Sequence, residues 1–339
     1  MGWLSGWTYR KKITITGATG AGTNYQIPLL IGESSGASGY NFHLEGKSAS
    51  FPSGRDAGGD LRFTASDGST LLDFWVESVS GSSPNRLAKV WVEVTADLGS
   101  NQDIYCYFGK ASASNASNGA DTFPLFDDFP GSSVDTNKWN SDTNAGGTIS
   151  VGSSILTLTV NTQSSSRAEL RSKLTFDVNY AIRALANFPT AGINYYPYLA
   201  FSNYDNASYP VTYSSEHGSL CCYGDNGRVN SRHLNNRSST LVAWTQNAYK
   251  VFEVRRTSSA ISGLEEGGNS GSVTTNIPTG ALSICPAHEA GNPPVSESFL
   301  VDWILVRKYV STEPAFSSAG ALETAPVVNY GAMLLMFLG

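Results

Sequence analysis

Apolar residues in this chain come in short alternating runs, each closed by a cluster of Gly, Ser, Asn or Asp, and no stretch keeps a helical period. In Tyr9-Arg10-Lys11-Lys12-Ile13-Thr14-Ile15-Thr16, Ile13 and Ile15 share one face while Lys12, Thr14 and Thr16 share the other. That is the period of a half-buried strand. Repeated along the chain with Gly-rich breaks, it predicts an all-β protein. Hydrophobic residues at 40% suffice to build cores, and charged residues at 15% are too few for a disordered chain. With 339 residues there is room for two cores.

A net charge of −6 argues against a nucleic-acid partner, whose backbone calls for clustered Lys and Arg. The one basic run, Arg10-Lys11-Lys12, reads as a solvated strand edge. Cys106 and Cys285 stand alone, while Cys221 and Cys222 are adjacent and so face opposite ways on a strand. At most one of that pair can face Cys285, and which one is open. No Cys or His spacing suggests a metal or redox site, His43, His217, His233 and His288 being scattered.

The organisation expected is two β-sandwich domains in series with a short apolar C-terminal tail. A first sandwich spans 1–115, a small polar linker 116–122, a second sandwich 123–310 and a tail 311–339. Within the first, Asp67-Gly68 between Arg62-Phe63-Thr64 and Leu71-Leu72 predicts a hairpin with a type I′ turn. The second opens on Phe126-Asp127-Asp128-Phe129 and closes on Asp302-Trp303-Ile304. Roughly 190 residues with this density of strands fit a two-sheet jelly roll. In the tail, Val327, Val328, Tyr330, Leu334, Leu335, Phe337 and Leu338 form an apolar strip far short of the ~20 residues that span a bilayer. Such a strip reads as an assembly segment, added as a strand to a neighbouring sheet edge. No signal-peptide pattern precedes the first strand-like run, so a Sec-type precursor is not expected.

Several motifs occur in order: Trp7…Arg10-Lys-Lys-Ile-Thr-Ile, Gly59-Asp60-Leu61-Arg62-Phe63-Thr64, Phe74-Trp75-Val76-Glu77, Val90-Trp91-Val92 and Ile104-Tyr-Cys-Tyr107-Phe108-Gly109-Lys110. Over residues 3–115 the chain thereby resembles the domain-of-unknown-function family 2341, met in archaeal, bacterial and phage surface proteins. Phe126-Asp127-Asp128-Phe129, Lys138-Trp139 and Val301-Asp302-Trp303…Tyr309 resemble the concanavalin/laminin-G-like jelly roll that often follows it. The resemblance implies recognition and surface architecture, and supplies no catalytic residue. It would place Asp128 and Asp302 together, where a structural calcium ion often joins first and last strands. No other cofactor is expected.

Some concanavalin-like jelly rolls are glycoside hydrolases, which need two carboxylates across a cleft. On one strand a Glu-x-Asp-x-Glu run would supply them, and the chain has none. Asp127-Asp128 and Glu265-Glu266 are adjacent, the latter in a Gly-rich hairpin tip, while Glu169 and Glu253 are isolated. Glycan recognition needs aromatic platforms beside amides or carboxylates. The candidates are Tyr195, Tyr196 and Tyr198, then Tyr204, Asp205 and Asn206, then Tyr223, Asp225 and Asn226, all expected in loops. Trp7, Trp75, Trp91, Trp139 and Trp303 read as core anchors. Asn115-Ala-Ser117, Asn206-Ala-Ser208 and Asn236-Arg-Ser238 fit the glycosylation sequon.

These readings predict a non-enzymatic structural or adhesion protein at a virion surface: a phage-type tail fibre, spike or capsid decoration displaying a glycan-binding jelly roll. Its partners would be further copies of itself, other virion or filament proteins and a cell-surface glycan. There would be no nucleic acid and no membrane span. One alternative is an extracellular filament or cell-surface subunit of an archaeon or bacterium. A second is a glycan hydrolase on the concanavalin-like fold, tested through Glu169 and Glu253.

Overall fold

Tyr9–Thr16 is a strand, as its alternation requires, and Ile13 and Ile15 are fully buried. In the computed structural model, which describes residues 2–189, 195–203, 216–223, 226–234, 236–290 and 296–326, nearly every regular element is a strand. The exception is one helical turn, Gly119–Thr122, capped by the Asn118 side chain, which accepts from the backbone N–H of Ala120 and Asp121. Among the described residues no helix is long and apolar enough to cross a membrane.

The chain divides into two units. The first takes residues up to Thr122 and again from Thr312, and the second takes Phe123–Ser311. In the first unit one sheet runs in the order Ala315–Ala319, Tyr9–Thr16, Gln102–Phe108, Arg62–Thr64, Leu71–Leu72, with Glu323–Thr324 also on Tyr9–Thr16. The other runs Phe42–His43, Tyr25–Gly32, Leu87–Val94, Phe74–Ser80. Aromatic contacts tie the two sheets together: Phe63 meets Phe74 edge-on at 5.2 Å, and Phe42 stacks on Phe316 at 6.2 Å.

The Gly59-Asp60 and Gly109-Lys110 motifs have one physical cause. The fully buried Asp60 carboxylate accepts from Ser48 Oγ at 2.5 Å and from the backbone N–H of Ala49, Gly109 and Lys110 at 2.7, 2.6 and 3.2 Å. A buried charge needs that many donors.

Three expectations are corrected in this unit. The segment from 312, expected as a tail, adds edge strands to Tyr9–Thr16, because its apolar residues find an inward face there. The apolar strip Val327–Leu338 lies outside the described residues. Arg10 and Lys11 are buried rather than solvated. The Arg10 guanidinium lies 4.3 Å from the Trp3 ring and 4.1 Å from the Tyr105 ring, and donates to Glu323. The hairpin at Asp67-Gly68 forms, but only Gly68 has positive φ (+78°), so the turn is not type I′. Asp67 instead accepts from Ser69 N, Thr70 N and Thr70 Oγ1, which stabilises a longer loop.

The second unit is a concanavalin-like jelly roll of two eight-stranded antiparallel sheets among the described residues. One sheet runs Trp139–Asn144, Arg167–Ser172, Leu282–Ala290, Tyr195–Ser202, His217–Tyr223, Asn226–His233, Asn236–Val242, with Thr175–Phe176 also on Leu282–Ala290. The other is centred on Glu297–Lys308, Tyr180–Asn187 and Tyr249–Arg256. Leu170, Leu199, Phe201, Leu220, Val229 and Ile284 from the first pack against Leu158, Ile182, Phe252, Val254 and Ile304 from the second. Trp75, Trp91, Trp139 and Trp303 are buried as anchors, whereas Trp7 is half-buried. Cys106, Cys221 and Cys285 are buried free thiols. Tyr198 is in register with Cys221 on one side, and Ala200 with Cys285 on the other, so a whole strand separates those two cysteines.

Candidate functional site

Alternation turns Ala168 and Leu170 into the jelly-roll core and Arg167, Glu169 and Arg171 to the opposite face of their sheet. On Leu282–Ala290, Ile284 points inward and His288 Nδ1 meets the Leu158 carbonyl across the core. Cys285, Ala287 and Glu289 therefore share the outer face with Glu169. The register sets Arg167 opposite Glu289 and Glu169 opposite Ala287. Glu169 and Glu289 are thus diagonal cross-strand neighbours, a relation that separates backbones by roughly 7–8 Å and side chains by less. On the far side of Leu282–Ala290, Tyr196 lies opposite Glu289 and Tyr198 opposite Ala287. Tyr198, Ala200, Cys221, Cys285 and Ala287 pack together, and Asn230 Nδ2 donates to Cys221 Sγ at 2.8 Å.

Glu169 is 1% exposed, and neither of its carboxylate oxygens has a hydrogen-bond partner. Arg167 Nε approaches to 3.7 Å, too far for a hydrogen bond, and the same guanidinium bonds Asp142. Burial pushes the Glu169 carboxyl up to about 7; Arg167 opposes the rise, Asp142 adds to it and Arg171 opposes it. Burial also pushes the Cys221 thiol up to about 12, and holds the Tyr198 hydroxyl and the Cys285 thiol well above their usual ranges. These three groups stay protonated at neutral pH, whereas the Glu169 carboxyl is able to exchange a proton there.

The other sheet holds a contrasting glutamate. Glu253 is as buried as Glu169, yet its oxygens receive Arg307 at 2.6 Å, Arg255 at 2.6 Å and Arg183 at 3.3 Å. Arg183 also bonds Glu266 at the hairpin tip, and the Tyr309 ring lies beneath Arg255 and Arg307. Burial alone would raise the Glu253 carboxyl, but Arg307, Arg183 and Arg255 outweigh it and hold the group far below the usual range. A carboxylate clamped in that way is structural.

Of the expected glycan contacts, Tyr196 and Tyr198 lie on the Glu169 face, Tyr196 half-buried and Tyr198 buried rather than an exposed platform. Tyr195, Tyr223 and Asn226 belong to strands, not loops, because their segments pair into the sheet. Tyr204, Asp205, Asn206 and Asp225 lie outside the described residues. Leu125–Asp127 pairs with Glu297–Lys308, which brings the chain at Asp128 close to Asp302, the extra residue of a bulge. The fully buried acid there is Asp127, which accepts from Trp139 Nε1 at 2.6 Å and Phe129 N at 2.8 Å. Among the described residues no group of three or more His, Cys, Asp or Glu is placed to hold a metal ion. Asn115, the first sequon residue, uses its side chain to hold Gly58 N and the Asp56 carbonyl.

Reasoning along single strands misses Glu289, because the pair is made across strands. The signal it overlooks is Arg167-Ala-Glu169-Leu-Arg171, three charges on one strand face whose alternate residues are core.

Residues 57–142 match the family described as Domain of unknown function (DUF2341), and that stretch includes the Gly59–Thr64 and Ile104–Lys110 motifs. Among curated proteins, none matches the chain. Solved structures similar to it include a beta-1,3-glucanase from Mycobacterium marinum, with 13% identity covering 54% of this chain and 98% of that one (TM-score 0.42). Others are an endo-beta-1,3-glucanase from Pyrococcus furiosus (12%, 58% and 95%, TM-score 0.43) and an endo-1,3-beta-glucanase catalytic domain from Thermotoga petrophila (9%, 55% and 97%, TM-score 0.44).

The expectation of a non-enzymatic virion or adhesion module is corrected. The three solved structures named above carry the names of glucanases, not of display proteins. Its premise also fails: acids absent as a run on one strand come together as Glu169 and Glu289 from two.

Proposed function

We propose that the second unit hydrolyses a glycan, with Glu169 as proton donor and Glu289 as the partner carboxylate. The observation that carries this reading is the buried Glu169 carboxyl, without a hydrogen bond and titrating at about 7, diagonal to a second carboxylate on one sheet face. A carboxylic acid half-protonated near neutrality can protonate a departing glycosidic oxygen. The second carboxylate then serves as base or nucleophile, and catalytic carboxyl pairs lie about 5–9.5 Å apart across the two stereochemical classes. Tyr196 offers a ring against which a sugar can pack. Burial keeps water from the acid and requires the face to open when substrate enters.

The test is release of new reducing ends from a panel of polysaccharides by the full chain. Glu169→Gln keeps the side-chain shape and removes the proton, so turnover should fall about 10²–10⁴-fold while the unfolding midpoint near pH 4, where the wild-type carboxyl is largely neutral in folded and unfolded chain alike, is kept. Wild-type turnover by Glu169→Gln would overturn the reading, and so would an inert wild-type chain.

A further inference from the structure

Asp142 stands directly opposite Glu169 on the neighbouring strand, and Glu289 stands diagonal to Glu169 on the other side. Three carboxyls therefore lie across three strands of one sheet face. The register sets Arg167 opposite Asn144, diagonal to Asp142, and its Nη2 donates to the Asp142 carboxylate. Its Nε stops 3.7 Å from Glu169 Oε2. One guanidinium thus adjoins both Asp142 and Glu169, and of these two acids it hydrogen-bonds only Asp142.

The two acids differ in their access to water. The Asp142 side chain is 23% exposed, whereas that of Glu169 is 1% exposed. A charge costs least on the acid that water reaches, so the acid shut away from water keeps the proton. Electrostatically Asp142 raises the Glu169 carboxyl and Arg167 lowers it. The other ionisable groups turned to Glu169 among the described residues are Arg171 on its own strand, Cys285 and Glu289 on the next, and Tyr196 and Tyr198 beyond. Arg171 pulls more weakly than Arg167, Cys285 and Tyr198 stay protonated, and none of these groups hydrogen-bonds Glu169.

Once Glu169 gives up its proton, it becomes a buried carboxylate in need of a donor. Arg167 Nε has to move by under about 1 Å to become that donor, and its Nη2 need not leave Asp142.

Resting on the hydrolase reading for its consequence, the geometry points to Arg167 and Asp142 as a pair of positioning residues. Asp142 holds Arg167 back while Glu169 carries its proton. As that proton passes to the departing glycosidic oxygen, the O–H electron pair stays on Glu169 and Arg167 closes on the new carboxylate, bridging both acids.

The experiment follows the full-length chain, with isotope-labelled glutamate and arginine, by nuclear magnetic resonance across a pH titration. The Glu169→Gln chain identifies the Glu169 carboxyl signal by its loss. In wild type the Arg167 Nε–H resonance should move downfield as pH rises through the Glu169 titration, as a new hydrogen bond requires. It should stay still in Glu169→Gln. Asp142→Asn releases Arg167 towards Glu169, so the Glu169 titration should fall by about one pH unit or more. Arg167→Gln should raise it. A face merely loosened would admit water and lower the titration in both variants, so the opposite signs separate positioning from damage. In the Arg167→Gln background, Asp142→Asn should shift the titration by less than about half as much, because only its own field is then removed.

An Arg167 Nε–H signal that ignores the Glu169 titration overturns the inference, and this readout needs no Arg167 variant to fold. So does equal action of Asp142→Asn in both backgrounds, or a titration that Asp142→Asn leaves in place. Turnover separates the two readings. The acid must be protonated, so the alkaline limb of kcat should move to lower pH in Asp142→Asn. If wild type cleaves a glycan and that limb stays put, the inference falls alone. If the resonances shift as stated but no chain cleaves any polysaccharide, the hydrolase reading falls and the Asp142–Arg167–Glu169 coupling stands.

Discussion

The two sheets of the jelly roll each carry a buried glutamate on the face away from the shared core, and the two glutamates differ in almost everything except burial. Glu253 sits among Arg183, Arg255 and Arg307 and is held ionised. Glu169 has Arg167 at 3.7 Å, shared with Asp142, and a weaker opposing pull from Arg171, and burial pushes it up to about 7. Burial penalises both charges alike, so the number of guanidiniums that return the lost solvation decides which side chain is a fixture and which can trade a proton. A buried acid becomes a candidate catalyst by lacking partners.

Removing the fixture should have the largest effect. Glu253→Gln leaves the Arg183 and Arg307 guanidiniums buried without their shared counter-ion. A loss of about 3–5 kcal/mol in urea unfolding at pH 7 is expected, enough to unfold a marginal domain. A loss below about 1 kcal/mol would break the comparison, since the cluster would then be idle.

Next in size is the pH dependence that Glu169 imposes. Its folded pKa, about 7, lies above the unfolded value of 4.5. Its stabilising contribution is therefore complete below pH 4.5 and is lost as pH rises through 7. The full loss is roughly 3 kcal/mol. The Glu169→Gln chain lacks that limb, so its stability relative to wild type should rise between pH 5 and pH 8. Parallel unfolding curves for the two proteins across that window would show that Glu169 is solvated or paired, and the contrast with Glu253 would collapse.

Much of the fold is legible in the residues themselves. Alternation in Tyr9–Thr16, the Gly-rich breaks and the buried tryptophans point to two sandwiches, because each is a local consequence of strand geometry. What the chain order conceals is who pairs with whom. The edge strand Ala315–Ala319 is separated in sequence from its partner Tyr9–Thr16 by the whole of the second unit, and no local pattern encodes that pairing. The site is hidden for the same reason. Glu169 and Glu289 stand far apart in sequence, and their diagonal relation exists only once Arg167–Ser172 and Leu282–Ala290 have found their register. A search for acids at i and i+2 sees one strand at a time. The tyrosines fail differently: their chemistry suits a sugar, but residue type alone does not distinguish a platform from a buried packing residue such as Tyr198.

The smallest effect tests whether burial of the acid itself sets the scale. In the first unit Arg10 pairs with Glu323 at 2.7 Å, but the Glu323 side chain is 39% exposed while Arg10 is buried. Arg10 keeps the Gly2 carbonyl, the Tyr107 hydroxyl and the Trp3 and Tyr105 rings when the carboxylate is removed. Water reaches the acid and screens the pair, so Glu323→Gln should cost under about 1 kcal/mol in urea unfolding, and less at high salt. A cost near that of Glu253→Gln would mean that one buried partner is enough to make an ion pair structural. The difference between Glu253 and Glu169 would then have to come from guanidinium geometry rather than from the acid's own exclusion from water.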